Sequence, residues 1–149
     1  MPYGDESRGG DTYLTTVDWK NYGAVYYGGD VNTTVPSLDH EVVTRVNSIC
    51  KNFDSSANLD YVGVVRWPVG TFMKPHIDDN NVHKPDVFAA MLYLNDNFTG
   101  GSTCFENFEV KPEVGKLIVF SNSQYLHYVS KVEGAERFVL SFWYNSLNK

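Results

Sequence analysis

His76 and Asp78 flank a single residue in the segment H-I-D, and His127 and Arg137 follow well downstream. On a β-strand, side chains at i and i+2 point to the same face, so His76 and Asp78 could grip one metal ion without backbone distortion. His127 could bring a second imidazole from elsewhere in the fold. Two histidines and one carboxylate form the facial triad that leaves open positions on an octahedral Fe(II). Arg137, ten residues past His127, suggests an anionic cosubstrate near the metal.

Each of these residues also has a structural explanation. A histidine can bond a backbone carbonyl, and Asp78, just before Asp79 and Asn80, could cap a turn. A lone arginine is most often part of a surface ion pair. The motif H-x-D by itself is a weak signal, and its weight comes from the company of His127 and Arg137.

The elements that must position these side chains are mostly short. Leu38, Val42, Val46, Ile49 and Phe53 recur at spacings of three and four, which predicts a helix over 38–53 with those residues on its buried face and Ser37 as its N-cap. From Tyr61 onward, short apolar or alternating runs are broken by Gly, Pro, Asn and Asp. Strands are expected at Tyr61 to Trp67, Met73 to Asp78, Val87 to Asn95, Ser102 to Val110, Lys116 to Phe120, Tyr125 to Val129 and Arg137 to Tyr144. Asn95 to Gly101 and Pro112 to Gly115 read as connections. Residues 1–12 read as a flexible arm, and Gly28 to Pro36 as a turn or exposed loop. The expectation is one mainly β domain spanning residues 1–149.

Composition narrows the function classes. With 42% hydrophobic, 15% aromatic and only 20% charged residues, the chain is that of a folded globular domain. A formal charge of −6 argues against a nucleic-acid partner, since such proteins need a basic footprint to displace counterions from phosphates. Cys50 and Cys104 are too few for a disulfide framework and fit a reducing compartment. No apolar run resembles a leader or a membrane span, so a soluble protein, cytoplasmic and with no membrane partner, is expected.

Five blocks in order resemble the 2-oxoglutarate- and Fe(II)-dependent dioxygenases, and within them the prolyl 4-hydroxylase-like branch. They are W-P-V-G-T-F-M-K-P-H-I-D at 67–78, M-L-Y-L-N at 91–95, G-G-S-T-C-F at 100–105, K-P-E-V-G-K at 111–116 and L-H-Y-V-S-K-V-E-G-A-E-R-F at 126–138. The resemblance covers about residues 61–145 and implies a double-stranded β-helix, or jelly roll, with iron at one end. It implies that His76, Asp78 and His127 are the iron ligands and that Arg137 binds the distal carboxylate of 2-oxoglutarate, a role suited to a permanently charged fork of donors. Tyr93 would assist at that carboxylate, although it could also be a core tyrosine. Thr103 and Trp143 would line the cosubstrate pocket. If the last strand alternates, Arg137, Val139, Ser141 and Trp143 share the face that lines the interior.

The resemblance further implies Fe(II), 2-oxoglutarate and O₂, with ascorbate as a possible addition. The reaction would yield succinate and CO₂ and hydroxylate an unactivated C–H bond, and the carboxylate at Asp78 favours hydroxylation over halogenation. The branch suggests a prolyl residue in an extended peptide, with a free amino acid or other small molecule as the alternative. Ala24 to Pro36 and Asp79 to Pro85 are the expected mouth loops. One departure stands out: Trp67 occupies a position where the branch commonly has tyrosine, and an indole donates a hydrogen bond but accepts none. A nucleic-acid demethylase is disfavoured because Trp143 stands where that branch carries a second arginine. A catalytically silent jelly-roll binding module would have no need of the triad.

Overall fold

The computed structural model describes residues 31–77, 86–121 and 124–146, together with the backbone of Tyr27–Gly28. Asp78, residues 1–12 and the loop Asp79 to Pro85 lie outside the described residues.

Among the described residues, twelve strands and one helix follow one another. They are β1 (Tyr27–Gly28), β2 (Asn32–Thr34), α1 (Glu41–Phe53), β3 (Ala57–Trp67), β4 (Phe72–His76), β5 (Asp86–Tyr93), β6 (Thr99–Gly100), β7 (Thr103–Phe105), β8 (Glu109–Val110), β9 (Leu117–Phe120), β10 (His127–Val129), β11 (Val132–Glu133) and β12 (Arg137–Ser146). One five-stranded sheet has the order β1-β4-β10-β7-β8, and the other has β2-β3-β12-β5-β9. A separate two-stranded sheet pairs β11 with β6, Val132 opposite Gly100 and Glu133 opposite Thr99. All pairings are antiparallel. This is the mainly β architecture expected from the strand pattern, in the jelly-roll form that the resemblance implies.

The alternation of β12 separates two cores. Leu140, Phe142 and Tyr144 point to the side of the sheet covered by α1, where they join Val43, Val46, Cys50, Val62, Phe88 and Ala90. Val139 points the other way, into a second cluster with Val65, Trp67, Tyr93, Val129 and Val132. That second face looks toward the other sheet, and the functional side chains lie there.

Several expectations need correction. The cap of α1 is His40, whose Nδ1 accepts from Val42 N at 3.1 Å, because Ser37 and Asp39 are engaged with each other in the preceding turn. Of the expected face, Val46 is buried and Val42 packs against the core, whereas Leu38, Ile49 and Phe53 are exposed and Val43 and Cys50 are buried in their place. Both sets have helical spacing, and only docking against the sheet selects between them. The segment Ser102 to Val110 is a hairpin, with Thr103 opposite Val110 and Cys104 opposite Glu109. Within Ala24 to Pro36, residues 32–34 form an edge strand on β3, since Thr33 and Thr34 suit an extended, paired backbone. The strand expected to reach Asp78 ends at His76, and Asp78 itself lies outside the described residues. Among the described residues, no helix is long and apolar enough to cross a membrane.

Candidate metal and cosubstrate site

His76 ends β4 and His127 begins β10, and the two are direct antiparallel partners. Their rings lie 4.4 Å apart between centroids, and each residue is about 7% exposed. The ring planes are tilted by 53°, yet both rings are anchored in the same way. His76 Nδ1 donates to the Lys74 carbonyl at 2.8 Å, and His127 Nδ1 donates to the Tyr125 carbonyl at 2.9 Å. A proton held on Nδ1 leaves the Nε2 lone pair as the coordinating position, the usual arrangement of metal-binding histidines. Phe120 packs on the His127 ring at 5.0 Å, nearly edge to face, and Phe105 lies beyond it at 6.4 Å.

The two imidazoles open onto a cavity of about 80 Å³ between the sheets. Its lining includes His76, His127, Thr103, Arg137, Ser141 and Trp143. Trp67, Val65 and Val139 line it too, so the face anticipated for β12 is the one that borders the cavity.

Arg137 is fully buried, which excludes a surface ion pair. That surface role belongs to Arg66, which is bonded through two nitrogens to the Glu136 carboxylate. Burying a guanidinium is costly without hydrogen bonds. Arg137 Nε donates to the Gly101 carbonyl at 2.8 Å, and Nη2 donates to Thr103 Oγ1 at 3.2 Å and approaches Met91 Sδ at 3.6 Å. Its Cζ lies 4.8 Å from the centroid of Trp67 and 5.4 Å from that of Tyr93. The Tyr93 hydroxyl is 2.5 Å from Thr103 Oγ1, so Thr103 links the tyrosine and arginine across the gap between sheets.

Three supporting residues were not singled out from the sequence, although the matching blocks contain all of them. Gly101, at φ +63°, presents its carbonyl to Arg137, and a Cβ there would lie 3.1 Å from Arg137 Cδ. Asn95 fixes the backbone on both sides of Arg137, since its Nδ2 donates to the Glu136 carbonyl and its Oδ1 accepts from Phe138 N. Met91 offers the thioether. Their roles are contacts across the fold, which spacing along the chain does not display.

Among the described residues, no group of three or more His, Cys, Asp or Glu side chains is gathered for a metal. The donors present nevertheless suit Fe(II): two imidazoles with matching tautomers, facing a cavity that also contains a buried cation for an anionic partner.

Residues 62–145 match the family model of the 2OG-Fe(II) oxygenase superfamily, more than half of the chain. The chain belongs to this superfamily. As a 2OG-Fe(II) oxygenase it uses Fe(II), 2-oxoglutarate and O₂. Similar solved structures of this fold include a viral collagen prolyl hydroxylase from Paramecium Bursaria Chlorella virus-1, with TM-score 0.67 and 20% identity over 82% of this chain and 81% of that one. A Pseudomonas putida prolyl-4-hydroxylase has TM-score 0.64 and 20% identity, covering 80% and 73%. A Trichoplax adhaerens prolyl hydroxylase, in complex with a hypoxia inducible factor oxygen degradation domain peptide fragment, has TM-score 0.61 and 17% identity, covering 97% and 80%. No curated protein matches this oxygenase sequence.

Proposed function

We propose that this oxygenase hydroxylates prolyl residues in a peptide or protein, coupled to decarboxylation of 2-oxoglutarate to succinate and CO₂. The observation that carries the reading is the shared cavity: the His76–His127 pair and the buried Arg137 open onto one space between the sheets. In this reading His76, Asp78 and His127 hold Fe(II), which when bound supplies the activation of O₂ for C–H oxidation. Arg137 binds the distal carboxylate of 2-oxoglutarate through its fork of donors, with Tyr93 and Thr103 holding the anchor in place. Ser141 and Trp143 bound the space between the two ends, and the sheets keep water from the reacting groups.

A peptide is favoured over a free amino acid by an apolar groove of about 650 Å³ beside the cavity. Phe105, Phe108, Val110, Ile118 and Tyr125 line it, and Phe120 borders both groove and cavity. Proline-rich segments adopt polyproline II with little ordering cost and dock on aromatic-lined grooves. The three solved structures of similar fold described above are prolyl hydroxylases, which supports the same reading.

The test is incubation with Fe(II), 2-oxoglutarate, ascorbate and a panel of proline-containing peptides, read by mass spectrometry. A gain of one oxygen at proline, with stoichiometric succinate, is the expected result. Succinate formation without peptide oxidation, together with oxidation of free proline or another small molecule, would replace the substrate reading while leaving the cosubstrate chemistry intact.

A further inference from the structure

Trp67 and Arg137 are direct cross-strand partners on β3 and β12. The pairing places the arginine Cζ 4.8 Å from the indole centroid, within the range of a cation–π interaction, and Trp67 is only 4% exposed. The Tyr93 ring lies 5.4 Å from the same carbon. The guanidinium is therefore held by two aromatic rings, while Gly101 and Thr103 take hydrogen bonds from Nε and Nη2. We propose that Trp67 is a positioning residue: its ring face fixes the Arg137 guanidinium for the cosubstrate carboxylate without using any of the guanidinium's donors.

The choice of ring has a chemical consequence. An arginine side chain has donors only, and a phenol oxygen beside it can accept one of them. Indole has no acceptor in its ring, so it attracts the cation through its π face alone. This ring therefore does not compete with the anion for a guanidinium donor. Away from water, the attraction is strongest for indole among the aromatic side chains. The large ring also borders the cavity, so it sets the approach to Arg137 as well as its orientation.

This inference rests on the reading of Arg137 as the carboxylate anchor, and the experiment separates the two. Anaerobic calorimetry with Mn(II) in place of iron measures 2-oxoglutarate affinity in the parent, Trp67→Leu, Trp67→Phe, Arg137→Leu and the Trp67→Leu/Arg137→Leu double variant. Trp67→Leu should weaken 2-oxoglutarate binding on the order of tenfold, and Trp67→Phe should restore most of it because a ring face remains. Steady-state kinetics should show the loss in KM for 2-oxoglutarate rather than in kcat, with metal affinity unchanged. In the Arg137→Leu background, Trp67→Leu should have no further effect on binding.

If Arg137→Leu binds 2-oxoglutarate as the parent does, the anchor reading fails. If Arg137→Leu weakens binding but both Trp67 variants remain within twofold of the parent, only the role of Trp67 is overturned. An equal effect of Trp67→Leu with and without Arg137 would also overturn it, since the ring would then be acting on something else. Should Trp67→Leu fail to fold, Trp67→Met, which keeps much of the bulk without an aromatic face, takes its place alone and in the Arg137→Leu background.

Discussion

His76 and His127 stand opposite each other on paired strands, with their rings 4.4 Å apart and their Nδ1 atoms each bonded to the backbone carbonyl two residues earlier. The two imidazoles are thus oriented by main chain, which no single side-chain substitution can remove. Substituting the rings themselves has a clear expected outcome. His76→Ala and His127→Ala should each lower Fe(II) affinity by more than the roughly 10–100-fold that loss of a supporting partner costs. Asp78→Ala should do the same if it is the third ligand. Anaerobic Fe(II) titration is the measurement, and unchanged affinity in all three variants would remove the metal centre from this cavity.

Arg137 is expected to tolerate no other residue. Lysine keeps the charge but loses the planar fork, and its ammonium cannot reproduce the bonds to Gly101 and Thr103 together. Arg137→Lys should raise KM for 2-oxoglutarate at least tenfold, and Arg137→Leu further. A lysine variant with parental KM would mean that charge alone suffices at this position.

Gly101 tests how tightly the anchor is packed. Its φ of +63° disfavours any side chain, and an added Cβ would meet Phe98 Cε1 at 2.8 Å and Arg137 Cδ at 3.1 Å. Gly101→Ala should cost about 1–3 kcal/mol of stability in denaturant unfolding. It should also weaken 2-oxoglutarate binding in the protein that remains folded, because Arg137 must move. Parental values in both measurements would show that the loop relaxes around the methyl group.

The core under α1 should make the protein sensitive to alkali. Burial pushes the Tyr144 hydroxyl far above its ordinary value of 10.0, helped by the adjacent Cys50, and burial likewise raises the Cys50 thiol above 9.0 against the opposing effect of its bond with Tyr144. The folded state therefore holds these protons more tightly than the unfolded chain does. The associated stability is fully present below about pH 9 and is lost as pH rises beyond the ordinary values of the two groups. Thermal melts from pH 7 to 11 should show the fall, and the Cys50→Ala/Tyr144→Phe double variant should lose less stability than the parent over the alkaline range. An identical alkaline loss in the double variant would assign it to other groups.

Much of this arrangement was legible in the chain. The period-two pattern of Arg137, Val139, Ser141 and Trp143 marked one strand face, and all four residues border the cavity. Alternation is a local property of extended backbone, so it survives into the fold. The helix was harder: Leu38, Ile49 and Phe53 fit a buried stripe as well as Val43 and Cys50 do, and docking on β3, β5 and β12 chose the latter. Ser37 looked like a cap, but its hydroxyl bonds Asp39, leaving the cap to His40.

Sequence alone determined the types and order of the chemical groups: two imidazoles, an arginine, and the strand faces from which they project. Tertiary structure decided their neighbours. Direct pairing of β4 with β10 brought His76 to His127, pairing of β3 with β12 laid Trp67 against Arg137, and Thr103 reached Arg137 from the opposite sheet. The physical reason is that side-chain direction follows from local backbone geometry, whereas proximity follows from strand register and the stacking of sheets, which join residues far apart in the chain.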